Sequence, residues 1–292
     1  MNRRFTTSLF AAVLGIGTLL SAHADTALET AYKAAGRVAE QGPTKVTMLD
    51  EATLDLPKGY AFIPKAESKQ LLEAMGNNPS DNLIGMIMPL SEGANWFVDV
   101  SFDKAGYIKD DDAKDWDADD LLSSLKDGTE EDNKMRKERG IPELDVLGWV
   151  EKPSYESGSH HLVWSINTRE KGAPSNQVQG VNYNTYALGR DGYISMNLVT
   201  GMDTVAQEKP EAKALLAALH FNNGKRYEDF DQKSDRMAAY GLAALVAGVG
   251  AKKLGLLAII GAFLAKSFKL VLLALAGGAA AVRKFFGGKR EG

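Results

Sequence analysis

Trp96, Val98, Val100 and Phe102 alternate with Phe97, Asp99 and Ser101. A period of two is the signature of a strand with one face buried. Leu162, Trp164 and Ile166 alternate with Val163, Ser165 and Asn167 in the same way. Two further strands, 181–188 and 193–199, flank Gly189-Arg190-Asp191-Gly192, whose Asp-Gly pair supplies the positive φ angles of a tight antiparallel hairpin. Elsewhere the spacing predicts helices. One over 64–75 places Leu71, Leu72 and Met75 on one side and stops at Gly76, a suitable C′ glycine. One over 117–139 turns Leu121, Leu122 and Leu125 inward and ends at Gly140 and Pro142. A third starts at Pro210 and carries Leu215, Leu216 and Leu219. Strands followed by their own hairpin partners, with few helices between, predict an α+β domain with a mostly antiparallel sheet.

The two ends follow other patterns. Arg3 and Arg4 precede an apolar run over 9–20, and Ala22-His23-Ala24 provides the small-x-small pattern of a signal-peptidase site. This predicts a cleavable signal peptide over 1–24, because the run is shorter than the ~20 residues that span a bilayer. At the other end, Gly241, Gly248, Gly255 and Ala262 recur every seven residues, each followed three residues later by an alanine. Small residues at the a and d positions of a heptad let helices approach closely inside a bilayer. These four are the candidate helix-packing positions of a membrane-associated helical segment over 237–286, through which the chain would form a homo-oligomer. Two layouts remain open. The segment 254–276 is long enough to span but contains Lys266 and Lys269, whereas 270–282 is free of charge but short. An amphipathic helix lying on the membrane over 238–265 and leading into a short crossing is the second layout.

Charge divides the chain along the same lines. Residues 25–236 hold 24 basic and 37 acidic residues, a net −13, whereas 237–292 hold eight basic residues and one acid. An acidic exported domain argues against nucleic acid as a partner, since phosphate binding needs clustered Lys and Arg. The basic end at 287–292 predicts a cytoplasmic C-terminus. A single-pass inner-membrane protein follows, with its main domain, 25–236, in the periplasm. The chain contains no cysteine, so a hydrophobic core alone must hold that domain.

The candidate chemistry is sparse. Asp115, Asp117 and Asp119 open like a calcium loop, but Asp120 stands where that loop needs Gly and Lys126 where it needs Glu. The acids at 117–120 therefore read as a cap on the following helix. Adjacent His160 and His161 would point to opposite faces of a strand, a poor geometry for joint metal binding and an ordinary one for a hairpin tip. His220 reads as a cation at a helix C-terminus. Trp96, Trp149 and Trp164 read as core at strand positions, with a ligand groove as the competing role. No nucleophile elbow, zinc-protease motif or phosphate loop occurs, so no catalytic, metal or cofactor residue is predicted.

The chain resembles a bacterial family of uncharacterised membrane-anchored proteins defined by a domain of unknown function. The matching stretches are ATLDLPKGYAFIP at 52–64, GYIKDDDAKDWDADDLLSSL at 106–125, LGWVEKPSYESGSHHLVWS at 147–165, NYNTYALGRDGYISMNLV at 182–199 and FNNGKRYEDFDQKSDRMAAYGLAALVAG at 221–248. The resemblance implies an exported domain with a C-terminal membrane segment in a Gram-negative envelope, and brings no activity with it. The functional expectation is a non-enzymatic binding or scaffolding module facing the periplasm, its protein or small-molecule partner unspecified. The alternative is a carboxylate-dependent envelope hydrolase, which requires converging acids with a raised pKa.

Overall fold

The computed structural model describes residues 15–75, 79–114, 116–138, 142–177 and 179–247, with side chains from residue 27 onward. In chain order the helices are α1 (Gly15–Val38), α2 (Lys65–Ala74), α3 (Ala118–Glu138), α4 (Val205–Ala217) and α5 (Leu242–Val246). The strands are β1 (Glu40–Gln41), β2 (Thr44–Met48), β3 (Ala52–Leu56), β4 (Tyr60–Pro64), β5 (Leu83–Pro89), β6 (Phe97–Asp103), β7 (Leu144–Glu156), β8 (His161–Glu170), β9 (Gly180–Leu188), β10 (Tyr193–Gly201) and β11 (Leu219–Phe221).

Eight strands form one antiparallel sheet in the order β1-β4-β5-β6-β10-β9-β8-β7, and β11-β3-β2 form a second, smaller one. The chain is therefore α+β, as its patterning predicts. Among the described residues no helix is long and apolar enough to cross a membrane. From 248 onward the predicted tail, including Gly248, Gly255 and Ala262, lies outside the described residues. So do the basic start of the predicted signal and the helix-stop glycines Gly76 and Gly140.

Both faces of the large sheet are covered. On one, Val98, Val100, Ile194, Met196, Leu198 and Tyr183 pack against Leu215 and Leu216 of α4 and against Val46, Met48 and Leu54 of the small sheet. On the other, α1 and α2 bring Tyr32, Ala35, Leu71 and Leu72 over Met86, Phe97 and Val199. Beside them α3 and α5 bring Leu121, Leu125, Leu242 and Val246 over Leu162, Trp164, Tyr186 and Tyr193. Double coverage corrects one expectation: every residue of β6, β9 and β10 is buried. Asp99 and Ser101, which alternation places toward solvent, are interior.

Three local differences have clear causes. Helix α4 starts at Val205, so Pro210 lies inside it. Its missing N–H forgoes the bond to the Ala206 carbonyl, and buried Val205 and Ala212 hold the helix across that gap. Leu219 and His220 belong to β11, where His220 Nε2 lies 3.8 Å from Asp55 in place of the helix end expected for it. In the β9–β10 turn, Gly192 alone has positive φ, and Gly189 N–H donates to the Gly192 carbonyl at 2.8 Å. Arg190 and Asp191 are thereby freed for contacts elsewhere.

Candidate functional site: a buried polar strip beside a C-terminal strap

The acidic run highlighted in the sequence is occupied with structure. Asp117 Oδ1 accepts the backbone N–H groups of Asp119 and Asp120 at 2.7 and 3.1 Å, capping α3, and those bonds hold its carboxyl below the usual range. Asp112 caps α5 from a distance in sequence, accepting from Leu242 N–H and Ala243 N–H, both at 3.0 Å. Gly241 stands directly before α5, where an added Cβ would sit 2.5 Å from Asp112 Oδ2. Asp110 Oδ2 accepts from the Tyr155 hydroxyl at 2.9 Å, and His160 Nδ1 lies 2.9 Å from that same hydroxyl. His160, at φ 55° in the β7–β8 turn, also stacks on Tyr227 at 4.1 Å. His161 begins β8, and its burial lowers its pKa. Among the described residues, no group of three or more His, Asp or Glu side chains is placed to hold a metal ion. Trp96 and Trp164 are core, and Trp149 Nε1 donates to the Ala118 carbonyl at 3.0 Å.

Tyr227 belongs to a strap, residues 222–247, that crosses the molecule after the last strand. Its rings form a continuous stack: Phe230 on Tyr107 at 3.9 Å, Tyr107 on Tyr227 at 4.4 Å and Tyr227 on His160. The Tyr227 hydroxyl donates to the Ile108 carbonyl at 2.8 Å. Arg190 grips Asp235 with two bonds of 2.7 and 2.9 Å, which keeps the Asp235 carboxyl far below the usual range. Lys225 reaches Glu51 at 2.9 Å and Asp191 at 3.2 Å, and these acids raise its pKa. Farther along, Tyr107 N–H donates to the Arg236 carbonyl at 2.9 Å and Ala238 N–H to the Tyr107 carbonyl at 2.8 Å, a parallel bridge. Residues 237–247, which charge assigns to the tail, thus pack against the domain, and Leu242 is fully buried.

The feature that chemistry least expects lies under the two helical covers. Strand register sets Asp99 opposite Asn197, Asn197 opposite Asn184, and Asn184 opposite Trp164. Opposed residues share a sheet face, so these four form a row across four strands. They are flanked on the same face by Ser101 and Ser195, themselves opposed. On one side the row borders Phe97 and Val199 of the first apolar cluster, and on the other Tyr186 of the second, to which Trp164 also belongs. Asp99 is 1% exposed and Asn197 4%. Both carboxylate oxygens of Asp99, Asn197 Oδ1, Trp164 Nε1 and the Tyr186 hydroxyl have no hydrogen-bond partner. Burial pushes the Asp99 carboxyl up to about 7. The Asn197 amide is near enough to pull that value partly back, though it lies outside hydrogen-bonding geometry. Burial also raises the Tyr186 phenol, and the Asp99 charge adds to that rise.

The strip continues along β6 to Asp103, 9% exposed, which receives Asn82 Nδ2 at 3.4 Å. Burial raises the Asp103 carboxyl and Arg236 of the strap opposes the rise. Tyr240, also in the strap, is pushed up to about 12 by burial and by Asp103. The polar row is therefore most deeply buried at Asp99 and runs toward the strap at Asp103, its least buried member. Alternation could not find it, because a second covered face turns the polar half of each strand inward. The one available signal was compositional: Asp99, Asn182, Asn184 and Asn197 are short polar residues set among large apolar ones.

The fold and site define a class: a two-sheet α+β domain with a covered sheet, an enclosed polar row and a C-terminal strap. Residues 40–276 match the family described as "Protein of unknown function (DUF2167)", and the chain belongs to that family. No curated protein matches it. Among solved structures it is similar to the solution structure of cyanobacterial PsbP (CyanoP) from Synechocystis sp. PCC 6803. That likeness has 13% identity, covers 61% of this chain and 92% of that one, and has a TM-score of 0.37. It is also similar to a point mutant of the protein Mog1, with 10% identity, 61% and 94% coverage, and a TM-score of 0.31.

Proposed function

We propose that this protein is a membrane-anchored binding module of the bacterial envelope. Its exported α+β domain takes a ligand on the polar row, and its C-terminal segment holds it at the inner membrane with the basic end in the cytoplasm. The observation that carries the reading is Asp99, a carboxyl buried between apolar covers with neither oxygen hydrogen-bonded. Burying such a group uncompensated costs several kcal/mol, and residues that burden the fold in this way cluster at functional sites. Amides, hydroxyls and an indole surround it, a set suited to holding a molecule. A carboxylate-dependent hydrolase would need a second carboxylate facing Asp99. Asp103, two pleats along β6, marks the mouth of the row, and the other raised carboxyls, Glu170 and Glu208, belong to β8 and α4.

The test is the stability of the full chain with Asp99→Leu, a replacement with the same branched heavy-atom skeleton and no charge. A binding role predicts an unchanged fold and a raised Tm, because relieving the buried carboxyl removes a cost. A lowered Tm would assign the row to structure. The anchor is tested separately by in-cell crosslinking from single cysteines at Gly248, Ala258 and Asp231, which the cysteine-free chain permits. Crosslinks between copies at 248 and 258 are expected for a laterally associated membrane segment, and none there would remove that part of the reading.

A further inference from the structure

We infer that the polar row is a site for a small primary ammonium ion carried on an aliphatic stem, entering from the Asp103 end. The inference rests on the binding reading above and gives it a ligand class. Three open acceptor atoms, Asp99 Oδ1, Asp99 Oδ2 and Asn197 Oδ1, come from directly opposed residues of β6 and β10. Opposed side chains start about 5 Å apart at Cβ. A primary ammonium offers three donors and no acceptor, which matches that set. A guanidinium brings five planar donors, more than the open acceptors can take. A quaternary ammonium brings none, and a carboxylate or phosphate would meet the Asp99 charge with its own. Calcium and magnesium ordinarily need six or more oxygens.

Aromatic rings account for the stem: on the outward side of Asp99, Tyr186 lies opposite Ser195 and Tyr193 opposite Asp103, while Phe97 and Val199 close the inner end and Met86 lies opposite Asp99 on β5. Ser101 and Ser195 line the route outward, and Asp103 supplies a negative charge where the row nears the surface. The titratable groups around the row are Tyr32 in the α1 cover over Met86 and Phe97, Tyr186 level with Ser195, and Tyr193, Tyr240 and Asp103 toward the mouth, with Arg236 beside Asp103.

The experiment titrates the purified full chain with n-butylammonium, and in parallel with butyrate, 1-butanol and tetramethylammonium. Thermal unfolding and the carboxyl carbon NMR signal of Asp99 in labelled protein are followed. The expected result is a raised Tm with n-butylammonium alone and conversion of Asp99 to its ionised form at about pH 6, below its free folded pKa. Asp99→Asn should weaken n-butylammonium binding about 30-fold or more, as for loss of a buried charge partner. The carboxyl signal keeps the test independent of how the variant folds. Binding of butyrate or 1-butanol that Asp99→Asn abolishes would overturn the ammonium assignment and leave the binding module standing. An unmoved Asp99 signal with all four probes would overturn the inference itself, while the Asp99→Leu stability measurement decides the reading beneath it.

Discussion

Asp99 carries a stability consequence whose sign follows from its environment. Its folded pKa, about 7, lies above the ordinary 3.8, so the folded state holds a proton that the unfolded chain has released. Stability from this group is complete below about pH 4, falls as pH rises and is lost by about pH 7. The difference of about three units corresponds to roughly 4 kcal/mol. Denaturation across that pH range is expected to show this decline in the native chain, and Asp99→Asn is expected to remove it. Gly192 is the other residue with a sharp expectation. At φ 155° an added Cβ would fall 1.8 Å from the Asp103 carbonyl, so Gly192→Ala should lower stability by roughly 2 kcal/mol or more in a denaturant titration. Gly192 is legible in the sequence as a turn glycine, though its partner across the turn is not. Asp99 is not legible as a buried group, because a period of two reports one covered face and is silent about a second layer.

Elements built from local pattern are legible. The 181–199 hairpin, the helices over 64–75 and 117–139, and the aspartate cap on the latter all follow from residues near one another in sequence. Where long-range contacts decide, pattern is a poor guide. Helix α4 runs through Pro210 because packing outweighs the missing bond, and His160 joins Tyr155 and Tyr227 through a turn whose partners lie 5 and 67 positions away. The strap is invisible to periodicity since ion pairs and rings hold it. Replacing Arg190 with Gln is expected to speed amide exchange over 231–238 while leaving β9 and β10 protected. Because Arg190 depresses the Asp235 pKa, this clamp persists at neutral pH and is lost only as pH falls far below the ordinary carboxylate range. Exchange measured at neutral and at strongly acidic pH should show the strap opening first.

At the scale of the whole molecule, the acidic domain and its covers extend past the charge boundary at 236. Leu242 is fully buried, and Leu242→Ala should cost about 2–5 kcal/mol. A chain ending at 247 is therefore expected to unfold at a higher temperature than one ending at 236, measured by the loss of near-ultraviolet circular dichroism. The architecture is legible as α+β because hairpin signals recur. The pairing of β6 with β10, which creates the polar row, is not, since its strands are joined only through the whole of α3, β7, β8 and β9. The bridge between Tyr107 and Met237 has a mechanical side. A pull on the chain beyond 247 loads α5 and its Asp112 cap first and then those two backbone bonds, and residue 107 follows Asp103 by four positions. In the anchored arrangement proposed above, the tether and the Asp103 end of the polar row are coupled like a cord and its latch, so tension on the tail becomes something the domain can feel.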